Sequence, residues 1–204
     1  LVEVVNVDLA FGKAFDLSCE SSVGRFLKLA ADGFFDGLHT GPLCLTWSAV
    51  RWVPGGPPPL RSRDMPWGME GLTMKNRELV GLHSVLMRNS LQLFLAVASA
   101  GGSVTMEHPA DRGRPPFASI WATALWESAR IALGRALRRP PTGFRGHGEV
   151  TFPQCMKGAP SMKMTTLGYA RAHVPKYFSG LQCCHSKHDK VLVGVDPVTG
   201  HFRS

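Results

Sequence analysis

The chain predicts an α/β fold built on an open, doubly wound, mostly parallel sheet, and three observations carry that prediction. Short apolar runs of strand character alternate with longer segments of helical period. Glycine and proline punctuate the changeovers. Side chains with chemistry to offer, Asp8, Cys44 and Glu107, stand at or just after the ends of the runs. In open α/β sheets ligands bind beyond the carboxyl ends of strands, so these three are expected to converge on one rim.

Val2, Val4, Val5 and Val7 form the first apolar run, read as a buried parallel strand ending in Asp8. Ser21 and Ser22 are N-cap candidates for a helix that runs to about Ala31 and closes at Gly33. Phe34 to His39 reads as a second strand, and it leads into Gly41-Pro42-Leu43-Cys44, where a helix cannot continue. Residues 51–72 form a long Pro/Gly/Arg loop, a length usually tied to function or disorder. Thr73 caps a helix reaching Ala100, with Leu79, Leu82, Leu86, Leu93 and Val97 at helical spacing and Gly101-Gly102 as its stop.

Ser103 to Met106 is a third strand, followed by Glu107-His108-Pro109. Pro115-Pro116 is expected to open a helix over about 117–137, where Arg135, Arg138 and Arg139 suit the helix dipole. Glu149 to Phe152 and Met162 to Tyr169 read as two more strands. A Cys/His-containing segment at 181–189 precedes a strand at Val191 to Val195 and a turn at Asp196-Pro197. All of this is expected to form a single domain over 1–204.

The 204 residues allow one sizeable core. A formal charge of +8 favours a polyanionic partner, nucleic acid before anionic membrane, with DNA favoured, or else acidic neighbours in a larger assembly. No apolar run approaches the length of a membrane span; the longest, Leu91 to Ala100, carries Gln92 and Ser99. No signal peptide is visible. Five cysteines at 19, 44, 155, 183 and 184 lack a paired spacing, which points to reduced thiols inside the cell, in the nucleus or an organelle interior. The chain starts at Leu1, so it is expected to be processed or N-terminally incomplete.

Three places can carry chemistry. Cys44 follows a strand and a Gly-Pro turn and precedes Thr46-Trp47-Ser48, so its thiolate can act as a nucleophile in a cleft; the alternative is an inert buried cysteine. Glu107 at a strand end can serve as a general acid or as partner to a ring nitrogen, or can simply cap a loop. Gln154-Cys155 and Lys163-Met164-Thr165 form a third polar cluster, which an outward-facing hairpin would also explain. In the tail, Cys183, Cys184 and His188, with His185 and either Cys155 or His147, have ligand types for zinc. The spacing is not a C-x2-C pair and adjacent cysteines rarely share an ion, so no metal is assigned.

The order of these pieces resembles the cytosine-5 DNA methyltransferases. Gly41, Pro42, Cys44 and Ser48 are similar to that family's Gly-x-Pro-Cys-x-x-x-Ser segment, with Leu43 where the family has proline. Glu107-His108-Pro109 is similar to its Glu-Asn-Val segment, and Gln154 with Lys157 and Lys163 to its Gln-x-Arg-x-Arg segment. A divergent branch, found in dinoflagellates and mobile elements, is closer still: Gly55 to Ser62 and Ser119-Ile120-Trp121 resemble its Gly-Gly-Pro-Pro-Leu-Arg-Ser and Ser-x-x-Trp motifs. The family's first motif, Phe-x-Gly-x-Gly, is absent, and no separate target-recognition domain is evident.

The resemblance implies a Rossmann-like methyltransferase core using S-adenosylmethionine. It implies that Cys44 adds to C6 of a flipped-out cytosine and that Glu107 holds the ring at N3. It further implies that Asp8, Asp16 and Pro42 contact the cofactor. Ser48, Arg51, Arg61, Arg63, Arg112, Gln154 and Lys163 would contact nucleic acid, and Trp47, Trp52 and Trp67 could stack on bases or pack within the loop. The competing expectation is a catalytically inactive descendant, kept as a binding or scaffold subunit of a larger complex. The methyltransferase reading requires the side chains of Cys44 and Glu107 to face one cleft on neighbouring strand tips.

Overall fold

The computed structural model describes residues 2–137 and 146–190. Eight regular elements occur among them: α1 (Glu20–Ala31), β1 (Gly37–Thr40), α2 (Met74–Ala100), β2 (Ser103–Pro109), α3 (Ala124–Ala136), β3 (His147–Pro153), β4 (Met164–Ala170) and α4 (Val174–Phe178). Short 3-10 turns link several of them.

The four strands form one open sheet in the order β1-β2-β4-β3. β1 pairs with β2 in parallel, with Thr40 opposite Met106, whereas β4 runs antiparallel to both β2 and β3. Two of the three pairings are therefore antiparallel, which corrects the expectation of a mostly parallel sheet. The α/β class and the open sheet stand. β1, β2 and β3 share one direction and β4 alone is reversed, because a short turn rather than a crossover helix joins β3 to β4.

Alternation along β2 sets two faces. Val104, Met106 and His108 point into the larger core, with Met87, Leu91, Phe94 and Val97 of α2 and Trp126, Ala129 and Leu133 of α3. α1 packs against α2, and its Ala30 joins the same core. Leu167 and Tyr169 of β4 join Val150 and Phe152 of β3 on the opposite face, under Val174 of α4 and the adjoining Phe178 and Leu181. Gly168 is required on β4: a Cβ there would meet the Trp126 indole and come within 3.0 Å of Trp121 Cζ3.

The helix ends follow local chemistry. Thr73 Oγ1 accepts the Asn76 N–H, and Gly101 ends α2 at φ 109°, a left-handed value that glycine adopts freely. α1 starts two to three residues earlier than expected, with Cys19 rather than Ser21 or Ser22 at its N-cap. α3 begins at Ala124 and not at about 117, since Thr123 Oγ1 accepts the Trp126 N–H and the residues before it form a 3-10 turn.

The first expected strand does not form. Residues 2–7 have no regular structure, and Val2 and Val4 are 86% and 72% exposed. Valines favour a pleated surface only where a neighbouring strand edge receives them. The expected strand at 191–195, the turn at 196–197, and Arg138 and Arg139 lie outside the described residues. Among the described residues no helix is long and apolar enough to cross a membrane.

Candidate functional site: a thiol loop beside an anchored carboxylate

β1 ends at Thr40, opposite Met106, and β2 runs on to Pro109, so Glu107 lies within the strand and not just past its end as expected. Gly41, the first residue past β1, lies so close to β2 that a Cβ there would stand 3.8 Å from Glu107 Oε2. Cys44 follows three residues later, so its Cα is within about 11 Å of that of Gly41. Its thiol is free and half-buried.

Glu107 lies on the sheet face opposite the α2/α3 layer. Its Oε1 accepts hydrogen bonds from Gln154 Nε2 at 3.3 Å, Lys163 Nζ at 3.2 Å and Thr165 Oγ1 at 3.3 Å. The register explains the gathering: Glu107 sits opposite Leu167, two residues from Thr165 on the same face of β4. The Gln154 N–H donates to the Lys163 carbonyl and closes the β3–β4 turn that presents both side chains. The carboxylate is thus fixed through one oxygen, while the other faces Gly41.

The turn after Cys44 is held from below. Trp47 N–H donates to the Cys44 carbonyl at 2.9 Å. Arg61 Nε donates to Thr46 Oγ1, and its other nitrogens donate to the Pro66 and Val80 carbonyls and to Ser84 Oγ. Its guanidinium also lies 4.2 Å from the centre of the Trp47 ring. His83, on α2, shares a hydrogen bond with Thr46 Oγ1 at 3.3 Å. Burial, helped by the Arg88 charge, lowers the Arg61 pKa to about 10. Arg61 is 1% exposed, so its assignment as a phosphate contact is corrected: every face of the fork is spent inside the fold.

His83 is the residue that sequence reading missed here. The available signal was a histidine inside the apolar period of a long helix. Trp47 is likewise buried, packed edge-on against Trp67 and His108, and not presented for base stacking.

The remaining expected nucleic-acid contacts lie toward the surface. Ser48 Oγ accepts the Val50 N–H and caps a 3-10 turn. Arg51 donates to the Leu45 and Pro58 carbonyls. Arg63 forms a two-pronged pair with Asp111 at 2.8 and 3.2 Å. Arg112 is exposed, with its guanidinium 5.1 Å from the centre of the Phe117 ring.

The expected cofactor contacts do not converge. Asp8 Oδ1 accepts the Ala10 N–H as a local cap and ends no strand. Asp16 accepts both the N–H and the hydroxyl of Ser18, which hold its pKa below the usual carboxylate value. Pro42 is buried in the turn. Asp8 and Asp16 are thus engaged by their own neighbours, and nothing joins the three residues in one site.

A second cluster lies beyond β3. Cys155, Cys183, His185 and His188 bring their ligand atoms within 4.8 Å of one another. Cys184 stays outside it, exposed. Cys183 Sγ is 3.6 Å from His185 Nδ1 and 3.2 Å from His188 Nε2. Hydrogen bonding, led by His185, draws the Cys183 thiol down to about 6, while burial pushes Cys155 up.

Comparison with known proteins yields no matching family model, no curated relative and no solved structure of similar fold.

Proposed function

We propose that the chain carries the base-engaging half of a cytosine-5 nucleic-acid methyltransferase-like site, with DNA as the favoured substrate. One observation supports the reading above the others. Glu107 meets Gln154, Lys163 and Thr165 through one oxygen and borders Gly41 of the thiol loop through the other. Those residues come from the three segments that resemble the family, and they are far apart in sequence.

In this reading an extruded cytosine enters between the thiol loop and Glu107. The Cys44 thiolate adds to C6, forming a C–S bond and moving the electron pair of the C5–C6 double bond to C5. Glu107, with its carboxyl protonated, donates to N3 and offsets the negative charge that develops on the ring. Lys163, Gln154 and Thr165 keep the carboxyl from swinging away. C5 then takes up an electrophile, loses its original proton, and elimination restores the double bond and frees the thiolate. S-adenosylmethionine is the methyl source that the resemblance implies, but the surroundings of Asp8, Asp16 and Pro42 do not fit it.

The test needs no cofactor. When C5 takes up a solvent deuteron and then loses its proton, the cytosine exchanges hydrogen for deuterium with no net change. Mass spectrometry of a cytosine-containing oligonucleotide in deuterium oxide is expected to show C5 exchange with the wild-type chain and none with Cys44→Ala. Exchange that is equal in both, or absent in both while the oligonucleotide is bound, refutes the reading.

The second reading is a non-catalytic binding or scaffold subunit of a larger complex. The local hydrogen bonds that occupy Asp8 and Asp16 and the burial of Pro42 favour it. Salt-sensitive DNA binding without exchange is its signature, and the +8 charge supplies the attraction.

A further inference from the structure

We propose that Cys155, Cys183, His185 and His188 form a tetrahedral structural zinc site that fastens the 181–190 segment to the turn after β3. The inference stands apart from the cytosine reading, since it uses none of the residues assigned to the base.

The donor set comes first. Two thiolates and two imidazoles are a closed, four-coordinate set for zinc, and soft sulfur with imidazole disfavours magnesium and calcium. Zinc–sulfur bonds of about 2.3 Å and zinc–nitrogen bonds of about 2.0 Å place tetrahedral neighbours about 3.3–3.8 Å apart. The contacts of Cys183 Sγ with the two histidines, 3.6 and 3.2 Å, already fall at that spacing. The widest separation in the group, 4.8 Å, needs only side-chain rotation to close.

The backbone supports the same conclusion. Cys155 is buried in the 3-10 turn Gln154–Lys157, directly after β3. The other three ligands come from residues 183–188, which have no regular secondary structure of their own. Both flanks of that segment are tied down. Leu181 packs against the β3/β4 face, and the Lys190 N–H donates to the Pro160 carbonyl at 2.9 Å. An irregular segment with few internal hydrogen bonds gains order from a metal clip that closes a long loop. Both cysteines bind as thiolates and both histidines as neutral imidazoles, so the finished centre is electrically neutral.

Cys184 gives the internal control. It neighbours Cys183 in sequence yet lies outside the cluster. The experiment titrates the reduced, metal-free full chain with zinc against a competing chelator, and separately with cobalt(II) to read coordination from absorption. One equivalent of zinc and a cobalt spectrum of tetrahedral type with thiolate charge transfer are expected. Outer-shell changes typically weaken such sites 10- to 100-fold, so Cys183→Ser and His188→Ala should each weaken zinc by more than about 100-fold, and Cys184→Ser by less than about threefold. No zinc uptake by the wild-type chain overturns the proposal. So does an octahedral cobalt spectrum, a Cys155–Cys183 disulfide that forms in place of metal binding, or equal losses in the Cys183 and Cys184 variants. The wild-type spectrum decides the matter even if a ligand variant fails to fold.

Discussion

Lys163 Nζ meets Glu107 Oε1 at 3.2 Å across the β2/β4 pairing, and the two side chains are 29% and 23% exposed. A pair this accessible adds little to stability, because water screens it and ordering two long side chains costs entropy. Its consequence is positional. With Gln154 and Thr165 it fixes one carboxylate oxygen and leaves the other toward Gly41.

Glu107→Gln should therefore slow deuterium exchange at cytosine C5 by about 100-fold or more, the usual size of losing a preorganised electrostatic partner. Urea unfolding should shift by no more than about 0.5 kcal/mol. Lys163→Met should cost less in rate than Glu107→Gln, since the carboxylate keeps two of its three donors. Equal rates for Glu107→Gln and wild type would remove Glu107 from the chemistry.

Cys44→Ala separates thiol chemistry from folding. The side chain is half-buried, with no hydrogen bond to its sulfur among the described residues, so stability should change by less than about 1 kcal/mol. Exchange should vanish while affinity for the oligonucleotide, read by fluorescence anisotropy, is retained. Turnover that survives the substitution would exclude Cys44 as the nucleophile.

Arg61 gives a contrast between a structural and a nucleic-acid role. Arg61→Met leaves Thr46 Oγ1, Ser84 Oγ and two carbonyls short of a donor, a loss on the order of 2–4 kcal/mol. The variant should lower the urea midpoint and loosen the turn after Cys44, yet leave the salt slope of DNA binding unchanged. Arg112→Ala, at an exposed guanidinium, should instead reduce that slope by about one charge and leave stability nearly untouched. The opposite pattern would put Arg61 at a phosphate and overturn its place in the core.

The uneven legibility of the chain has physical reasons. α2 was readable to the residue because Thr73 and Gly101 act through their own backbone neighbours, whereas β2 was foreseen only to Met106 and runs to Pro109, since pairing with β4 carries it through Glu107 and His108. The valines at 2–7 share the local signal of β2, but they pair with no strand among the described residues even though β1 leaves one edge free, so the pattern alone was not enough to form a strand. The sheet's direction was misjudged because the short turn between β3 and β4 reverses the chain, whereas the earlier strands are joined by helices. Glu107, Gln154 and Lys163 were each visible as polar residues at strand ends, but their meeting depends on the β2/β4 register. The burial of Arg61 left no trace in sequence, since its partners are mostly backbone carbonyls and hydroxyls. The Cys/His cluster was partly legible: Cys155 and His147 were both open as a further ligand and adjacent Cys183 and Cys184 looked like competitors, and only the fold brings Cys155 beside Cys183 and leaves Cys184 outside.

His108 sets the last expectation, a pH dependence of stability. It is 1% exposed, faces Trp47 and Trp121 edge-on, and neither ring nitrogen has a hydrogen-bond partner. Burial, reinforced by the Lys163 and Arg61 charges, lowers its pKa to about 3. The unfolded chain takes up a proton near pH 6.5 that the folded chain refuses, so stability is full above pH 6.5 and falls as pH drops toward 3. The slope is about 1.4 kcal/mol per pH unit for each such proton. His83, also lowered chiefly by burial, acts in the same direction. Between pH 6.5 and 5 the carboxylates Asp16 and Asp111, lowered by their own partners, stay ionised in both states and do not confuse the reading. Urea unfolding across that interval should show a falling midpoint in the wild type and a clearly shallower fall in His108→Asn, which carries no titrating proton. Identical slopes in the two proteins would mean that His108 reaches solvent and can be protonated in the folded state.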